Sequence, residues 1–289
     1  MKSYNFAIIG VTGYISSRHL LAIKNLNHNL LVSFDKNDSA GILDKYFPKS
    51  FFYNKFSSFK KKFNSLKKID YTVILTPNYT HLQYIKFALS NGSNVICEKP
   101  LVISSNHLRQ IEKLEKKYNK KVYTILQLRT LGAVKSLREQ IQKSKNYHKI
   151  KVNYITPRGH WYQNSWKGDP KKSGGIIFNI GIHLLDVLCF LFGDYTDCFL
   201  IKKKKDSVKG KVKFKNAEAD FYLSTNKQDL KKYKSKKVVR DFFIGKKKID
   251  LARNFDKAHI DTYKEIIQNK NFGLDSVRNA IKLALDLKR

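Results

Sequence analysis

Compact apolar runs alternate with helix-spaced apolar positions through the first 126 residues. Residues 5–9, 30–34, 71–75, 95–97 and 122–126 are apolar runs of strand length. Between them, residues 19–26, 79–89 and 104–118 place apolar side chains at helical spacing. Asn91-Gly92 is a helix stop, and Ser104 stands where it can cap the helix that follows it. Strands and helices in this alternation predict a parallel sheet covered by helices.

After residue 126 the pattern changes. Residues 131–141 read as a helix, 149–156 as an alternating strand, 161–175 as a polar loop and 176–192 as a strongly apolar helix ending at Gly193-Asp194. Several short alternating strands follow between 198 and 251, with turns near 208–210 and 245–246, and two helices close the chain at about 258–268 and 275–287. Strands in succession after one helix predict a mixed or antiparallel sheet with that helix on one face. The expected division is therefore an N-terminal α/β domain, residues 1–124, and a C-terminal α/β domain, residues 125–289.

At 289 residues with 42% hydrophobic content, the chain can bury two cores. The N-terminal apolar run is too short for a signal peptide, and no long uncharged apolar run predicts a membrane span. Cys97, Cys189 and Cys198 are odd in number and lack metal-ligand spacing, and no metal is expected; Cys97 and Cys189 fall in apolar runs, which suits buried free thiols in a reducing cytoplasm. The net charge of +34 invites a nucleic-acid reading. Lysine is spread along the chain without a helix-turn-helix, zinc finger or ribonucleoprotein motif, so a solvated basic surface is expected, one that attracts a polyanionic small molecule rather than nucleic acid.

The candidate chemistry lies at strand ends. Gly10-Val11-Thr12-Gly13-Tyr14-Ile15 joins the first strand to the first helix, where a tight turn and free helix amides favour a pyrophosphate. The full three-glycine fingerprint is absent, because Thr12 and Ile15 occupy two of its positions. Asp35 ends the second strand, 25 residues after Gly10, where an acid accepts hydrogen bonds from an adenine ribose and disfavours a 2′-phosphate; Asn37 and Asp38 stand beside it. An Asp here also serves as a plain turn residue. Thr76-Pro77-Asn78 and His81 follow the third strand, on the crevice side, and Asn78 is in addition a helix cap. Glu98-Lys99-Pro100 follows the strand 95–97, and His183 lies on the first turn of the apolar helix. A lysine and a histidine in one cleft can manage a proton while NAD takes a hydride.

Gly-x-x-Gly-Tyr, Thr-Pro-Asn-x-x-His, Glu-Lys-Pro and Gly-x-His-x-x-Asp, in this order, resemble the Gfo/Idh/MocA oxidoreductases. Arg18-His19, Gln127-Leu128-Arg129, Ser165-Trp166-Lys167-Gly168 and Asn179-Ile180-Gly181-Ile182-His183 look like the WlbA/WbpB group within it, the UDP-N-acetylglucosaminuronate 3-dehydrogenases of surface-polysaccharide (lipopolysaccharide) pathways. Many relatives carry Asp where Asn179 stands. Residues 199–256 match poorly. The resemblance implies a Rossmann domain, a C-terminal domain with an open-faced sheet, bound NAD, oxidation at sugar C3, 2-oxoglutarate as electron acceptor and a homo-oligomer, dimer or tetramer.

Under that resemblance Gly10, Gly13, Tyr14, Ile15, Asp35, Asn37, Asp38, Thr76, Pro77, Asn78, His81, Glu98, Lys99, Gln127, Trp166 and Lys167 face the cofactor. Lys99, Arg129, Tyr162, Asn179 and His183 face the UDP-sugar. His183 is the preferred base and Lys99 the group that orients the hydroxyl; the roles can be exchanged, since a desolvated lysine is itself a base. Other nucleotide sugars, a hexose or an inositol remain alternative substrates, and a non-catalytic NAD-binding regulator is the alternative to an enzyme.

Overall fold

The computed structural model describes residues 2–235, 237–251 and 257–288. The chain forms two compact units, one of residues 1–125 with 259–276, the other of 126–258 with 277–289.

The first unit begins with β1 (Asn5–Ile9), α1 (Ser16–Asn25), β2 (Asn29–Phe34), α2 (Ile42–Tyr46), β3 (Phe51–Tyr53) and α3 (Phe56–Ser65). It continues with β4 (Tyr71–Ile74), α4 (His81–Ser90), β5 (Asn94–Cys97), α5 (Ser105–Tyr118) and β6 (Val122–Thr124). The strands form one sheet in the order β3-β2-β1-β4-β5-β6, and every neighbouring pair is parallel. This is the doubly wound Rossmann order, with its reversal of direction between β1 and β4. All four residues of β4 are buried, as a strand covered on both faces requires. Ser104 caps α5 by accepting the His107 N–H, and Asn119 closes that helix in the left-handed conformation.

The apolar pattern predicts no helix or strand between 36 and 70, yet α2, β3 and α3 lie there. Phe56, Phe59 and Phe63 are spaced for a helix, and their rings pack with Phe34, Tyr84 and Phe87 at centroid distances of 5.1–6.0 Å. The run Lys60-Lys61-Lys62 between them hides that face from a sequence reading.

The second unit contains α6 (Gly132–Lys143), β7 (His148–Ile155), α7 (His160–Asn164), α8 (Pro170–Ser173), α9 (Ile182–Phe192), β8 (Tyr195–Lys203), β9 (Ser207–Phe214), β10 (Ala217–Ser224), β11 (Val239–Ile244) and β12 (Lys247–Lys248). Its sheet runs β12-β11-β7-β10-β9-β8; β7 and β10 are parallel and the other pairs antiparallel, so the sheet is mixed. One face packs on the apolar helix. A Cβ on Gly181 would stand 2.7 Å from Leu223 Cδ1 of β10, and the Phe192 ring meets His148 and Phe214. The other face carries charge ladders, Lys211 to Glu218 and Asp220, and Lys213 to Asp197. The segment Pro170–Phe192 is long and apolar enough to cross a membrane by length and composition, but 72% of its apolar window is buried inside the fold.

Three details of this unit differ from the sequence reading, the first being that the turn expected near 208–210 lies inside β9, where Gly210 leaves room for the Phe221 ring of β10. The loop 161–175 holds α7 and α8; Asp169 caps α8 by accepting the Lys171 N–H, with Pro170 at its first position. Helices this short show no periodicity. The apolar helix also opens with a π turn, Ile177–Gly181.

The chain closes with α10 (Ala258–Ile267) and α11 (Leu274–Asp286). From His259 to Ser276 it belongs to the first unit. There Phe272 accepts the Thr124 N–H at 3.0 Å, and Tyr123 donates to Asn269 at 2.8 Å, so this late segment borders β6.

Candidate functional site

The turn after β1 is built for close backbone approach. Gly10 has φ +96°, and a Cβ there would lie 2.9 Å from the Leu75 carbonyl carbon. Its N–H donates to Phe34 O at 2.7 Å, which joins the turn to the end of β2. Ile15 precedes α1, which has no capping side chain and no acid in its first turn. Tyr14 is 93% exposed. A glycine cradle beside an uncapped helix start fits the pyrophosphate of a dinucleotide.

Asp35 closes the turn from its far side. Its Oδ2 accepts the Thr12 N–H and its Oδ1 the Asn37 N–H, both at 3.0 Å. Each oxygen keeps a second lone pair, so a ribose hydroxyl is compatible with the turn role. Asn37 in turn accepts the Ser39 N–H at 3.1 Å, and Asp38 is exposed.

The loop after β4 is tied to the loop after β5. Asn78 is buried in a single 3-10 turn, and the Thr80 hydroxyl lies 2.7 Å from Pro77 O and 2.8 Å from Thr76 Oγ1. The His81 ring faces three carbonyls: Thr76 at 2.9 Å from Nε2, and Pro100 and Leu101 at 3.0 and 3.2 Å from Nδ1. Burial lowers its pKa, against the opposing pull of these carbonyls and of Glu98. His81 thus sits between residue 76 and residues 100–101, and the single N–H of its neutral ring bonds one side at a time.

Glu98 and Lys99 leave β5 together, and the Lys99-Pro100 peptide is cis. Glu98 Oε1 lies 2.9 Å from His19 Nε2 of α1, while Oε2 accepts the Lys99 N–H at 3.1 Å. His19 Nδ1 lies 2.8 Å from the Tyr263 hydroxyl of α10. His259 Nε2 stands 3.8 Å from Glu98 Oε1, beyond hydrogen-bond reach. Burial pushes the Glu98 carboxyl up, but its bond to His19 and the two imidazoles nearby outweigh this and hold it well below the ordinary range. Burial holds His19 below its ordinary value despite Glu98.

In the second unit Gln127 and Arg129 share a buried 3-10 turn. Gln127 Oε1 is buried without a hydrogen-bond partner among the described residues. Arg129, 3% exposed, grips Asp186 with both arms of a fork, Nε to Oδ2 at 2.8 Å and Nη2 to Oδ1 at 2.5 Å. Burial raises the Asp186 pKa, and Arg129 opposes it. Asn179, in the π turn, donates to the Tyr162 hydroxyl and to Lys167 O, both at 3.0 Å. Gly168 is required nearby, since a Cβ there would lie 2.6 Å from Tyr162 O. The Lys167 ammonium lies 5.4 Å from the Trp161 ring and 5.7 Å from Trp166. His183 is half-buried on the first turn of α9, one turn before Asp186.

Among the sequence-predicted residues, the structure therefore groups Gly10, Asp35 and the 76–81 loop in the first unit, and Tyr162, Lys167 and Asn179 in the second. It gives Arg129 an internal carboxylate partner. The sequence reading missed His19, His259 and Tyr263 as neighbours of Glu98. No local period links residues that far apart in the chain.

Comparison with known proteins agrees with this architecture. Residues 4–126 match the oxidoreductase family description "NAD-binding Rossmann fold", Gfo/Idh/MocA, and residues 138–234 match that family's C-terminal alpha/beta domain. The crystal structure of the WlbA (WbpB) dehydrogenase from Thermus thermophilus in complex with NAD and UDP-GlcNAcA is similar at 31% identity and a TM-score of 0.93, over 99% of this chain and 95% of that one. Oxidoreductase P35 of Formosa agariphila is 28% identical over 51% of this chain and 50% of its own length, and glucose-6-phosphate 3-dehydrogenase of Bacillus subtilis 26% identical over 64% and 53%. The chain thus spans about half the length of these two curated relatives. With both family domains in order and a parallel sheet whose glycine turn fits a dinucleotide, the chain belongs to the Gfo/Idh/MocA oxidoreductases and carries their NAD-binding Rossmann domain.

Proposed function

We propose that this chain is an NAD-dependent sugar dehydrogenase that oxidises the C3 hydroxyl of UDP-N-acetylglucosaminuronate to the 3-keto sugar, for surface-polysaccharide synthesis. The observation that carries this reading is the whole-chain similarity to the Thermus thermophilus dehydrogenase crystallised with NAD and UDP-GlcNAcA. When bound, NAD accepts the C3 hydride; the hydroxyl proton goes to the protein. His183 takes that proton as a neutral imidazole, and the Lys99 ammonium orients the hydroxyl and stabilises the developing alkoxide. Asp35 accepts hydrogen bonds from the adenine ribose, with Gly10 and Gly13 beneath the pyrophosphate. Gln127 offers its buried carbonyl oxygen to the ligands, and Asn179 and Tyr162 shape the sugar subsite. Arg129 contributes by fixing Asp186 on the helix that bears His183. The same Thermus dehydrogenase is also crystallised with NAD and alpha-ketoglutarate, which supports 2-oxoglutarate as the oxidant of NADH here. The similarity to a glucose-6-phosphate 3-dehydrogenase supports C3 as the oxidised position and makes a sugar phosphate the second substrate to test.

The test is NADH formation at 340 nm on a panel of UDP-N-acetylglucosaminuronate, UDP-N-acetylglucosamine, glucose 6-phosphate and inositol. Turnover of the uronate alone is the expected result, and Lys99→Ala and His183→Ala each abolish it while NAD still binds. An inert uronate beside an active neutral sugar or sugar phosphate would overturn the substrate assignment.

A further inference from the structure

We propose that Glu98 is a positioning residue for Lys99, braced by a relay that runs from the late helix α10 through Tyr263 and His19. It rests on the dehydrogenase reading above, because it assigns a purpose to the aim of the Lys99 side chain.

The proton positions follow from the chemistry of the groups. An ionised carboxylate only accepts, so the His19 Nε2 facing Glu98 Oε1 carries the proton. The neutral ring then has a bare Nδ1, which accepts from the Tyr263 hydroxyl. The chain of donors is Tyr263 to His19 to Glu98, and every link is 2.8–2.9 Å long. The far oxygen of Glu98 takes the Lys99 N–H at 3.1 Å. Both carboxylate oxygens are thus engaged: one fixes the peptide that carries Lys99, the other anchors that peptide to α1, the helix that follows the glycine turn. His19 is fully buried and His259 2% exposed, so the relay works in a medium where such bonds are strong and a broken one is costly.

The ligating-type atoms of His19, Glu98 and His259 lie within 4.8 Å of one another, a spacing that also suits a metal ion. The relay accounts for both nitrogens of His19 and both oxygens of Glu98 without one. His259 then contributes packing: its ring stands edge-on to His19, with centroids 5.3 Å apart.

A positioning role separates kinetically from a folding role. Glu98→Gln keeps shape but removes the charge and one acceptor atom, so with its oxygen on the Lys99 N–H it meets His19 only by donating its amide to a ring of the opposite tautomer, which reverses the relay. The expected result is a fall in kcat of roughly tenfold or more, with KM and the NAD dissociation constant within about threefold, as for an interaction made only in the transition state. Tyr263→Phe removes one remote donor and should lower kcat by a smaller factor, roughly three- to tenfold. His19→Gln, which can still donate toward Glu98, should recover part of the activity that His19→Ala loses. A readout without substrate keeps the two proposals apart: the rate at which a pyridoxal phosphate probe labels Lys99, followed by peptide mass spectrometry, should change in Glu98→Gln and Tyr263→Phe. Unchanged labelling and unchanged kcat in Glu98→Gln would overturn the positioning role. So would one equivalent of zinc in the purified protein that His19→Gln removes. An inactive wild type with altered labelling in the variants would instead overturn the substrate reading and keep the relay.

Discussion

Asp186 and Arg129 show how a residue type underdetermines its work. A solitary arginine beside a predicted sugar site suggests bidentate capture of a carboxylate or phosphate, and the bidentate geometry is present, but the carboxylate is the protein's own. With both partners almost wholly buried, removing one leaves an uncompensated charge in a low-dielectric core. Asp186→Ala should therefore destabilise the protein by about 3–5 kcal/mol, read as a lower midpoint in urea unfolding. Removing both partners in favour of apolar residues of similar volume should cost far less, because no orphan charge remains. Asp35 was more legible. Its distance from Gly10 and its place at the end of β2 were visible in the chain, and the structure adds that the same carboxylate holds the Thr12 and Asn37 amides.

At the scale of elements, long periodic segments were the easiest to read. The helices beginning at Ser105 and Gly132 and the strands β1, β2, β4 and β5 lie where apolar spacing puts them. Short or irregular pieces were not readable: β3 has three residues, α8 has four, and the π turn before α9 inserts one extra residue per turn that no sequence period announces. That turn sets the presentation of Asn179 toward Tyr162 and Lys167. It is held close to β10 by the missing side chain of Gly181. Gly181→Val should force Leu223 aside and cost about 1–3 kcal/mol through overpacking, with a matching fall in melting temperature. If the turn is also what presents the sugar subsite, the same variant raises KM for the uronate more than it lowers kcat.

Over the whole molecule, the buried histidines of the first unit dictate how stability depends on pH. Burial is the leading cause holding His19 and His81 below the ordinary histidine value of about 6.5, so both are neutral in the fold where the unfolded chain takes up protons. The unfolded state therefore binds more protons below that value, and stability falls as the pH drops through it, by up to about 1.4 kcal/mol per pH unit for each such group. Glu98, held well below the ordinary carboxylate range, adds a further loss of the same sign under pH ~4.3, as the unfolded carboxylate takes its proton first. Thermal melting is expected to be flat from about pH 8 to 7 and to fall clearly by about pH 5.5. A rise in melting temperature on acidification would mean that these imidazoles are charged in the fold. The amino-acid sequence by itself determined the alternation of strands and helices, the glycine turn with its acid, the lysine after β5 and the histidine on an apolar helix, because each is a local pattern of period, turn chemistry or spacing. Only the tertiary structure decided that residues 259–276 complete the first unit, that Tyr263 and His19 back Glu98, and that Arg129 is answered by Asp186. Those partners are separated by 57–244 positions, and side chains so distant in the chain are brought together by packing, which leaves no periodic trace in the sequence.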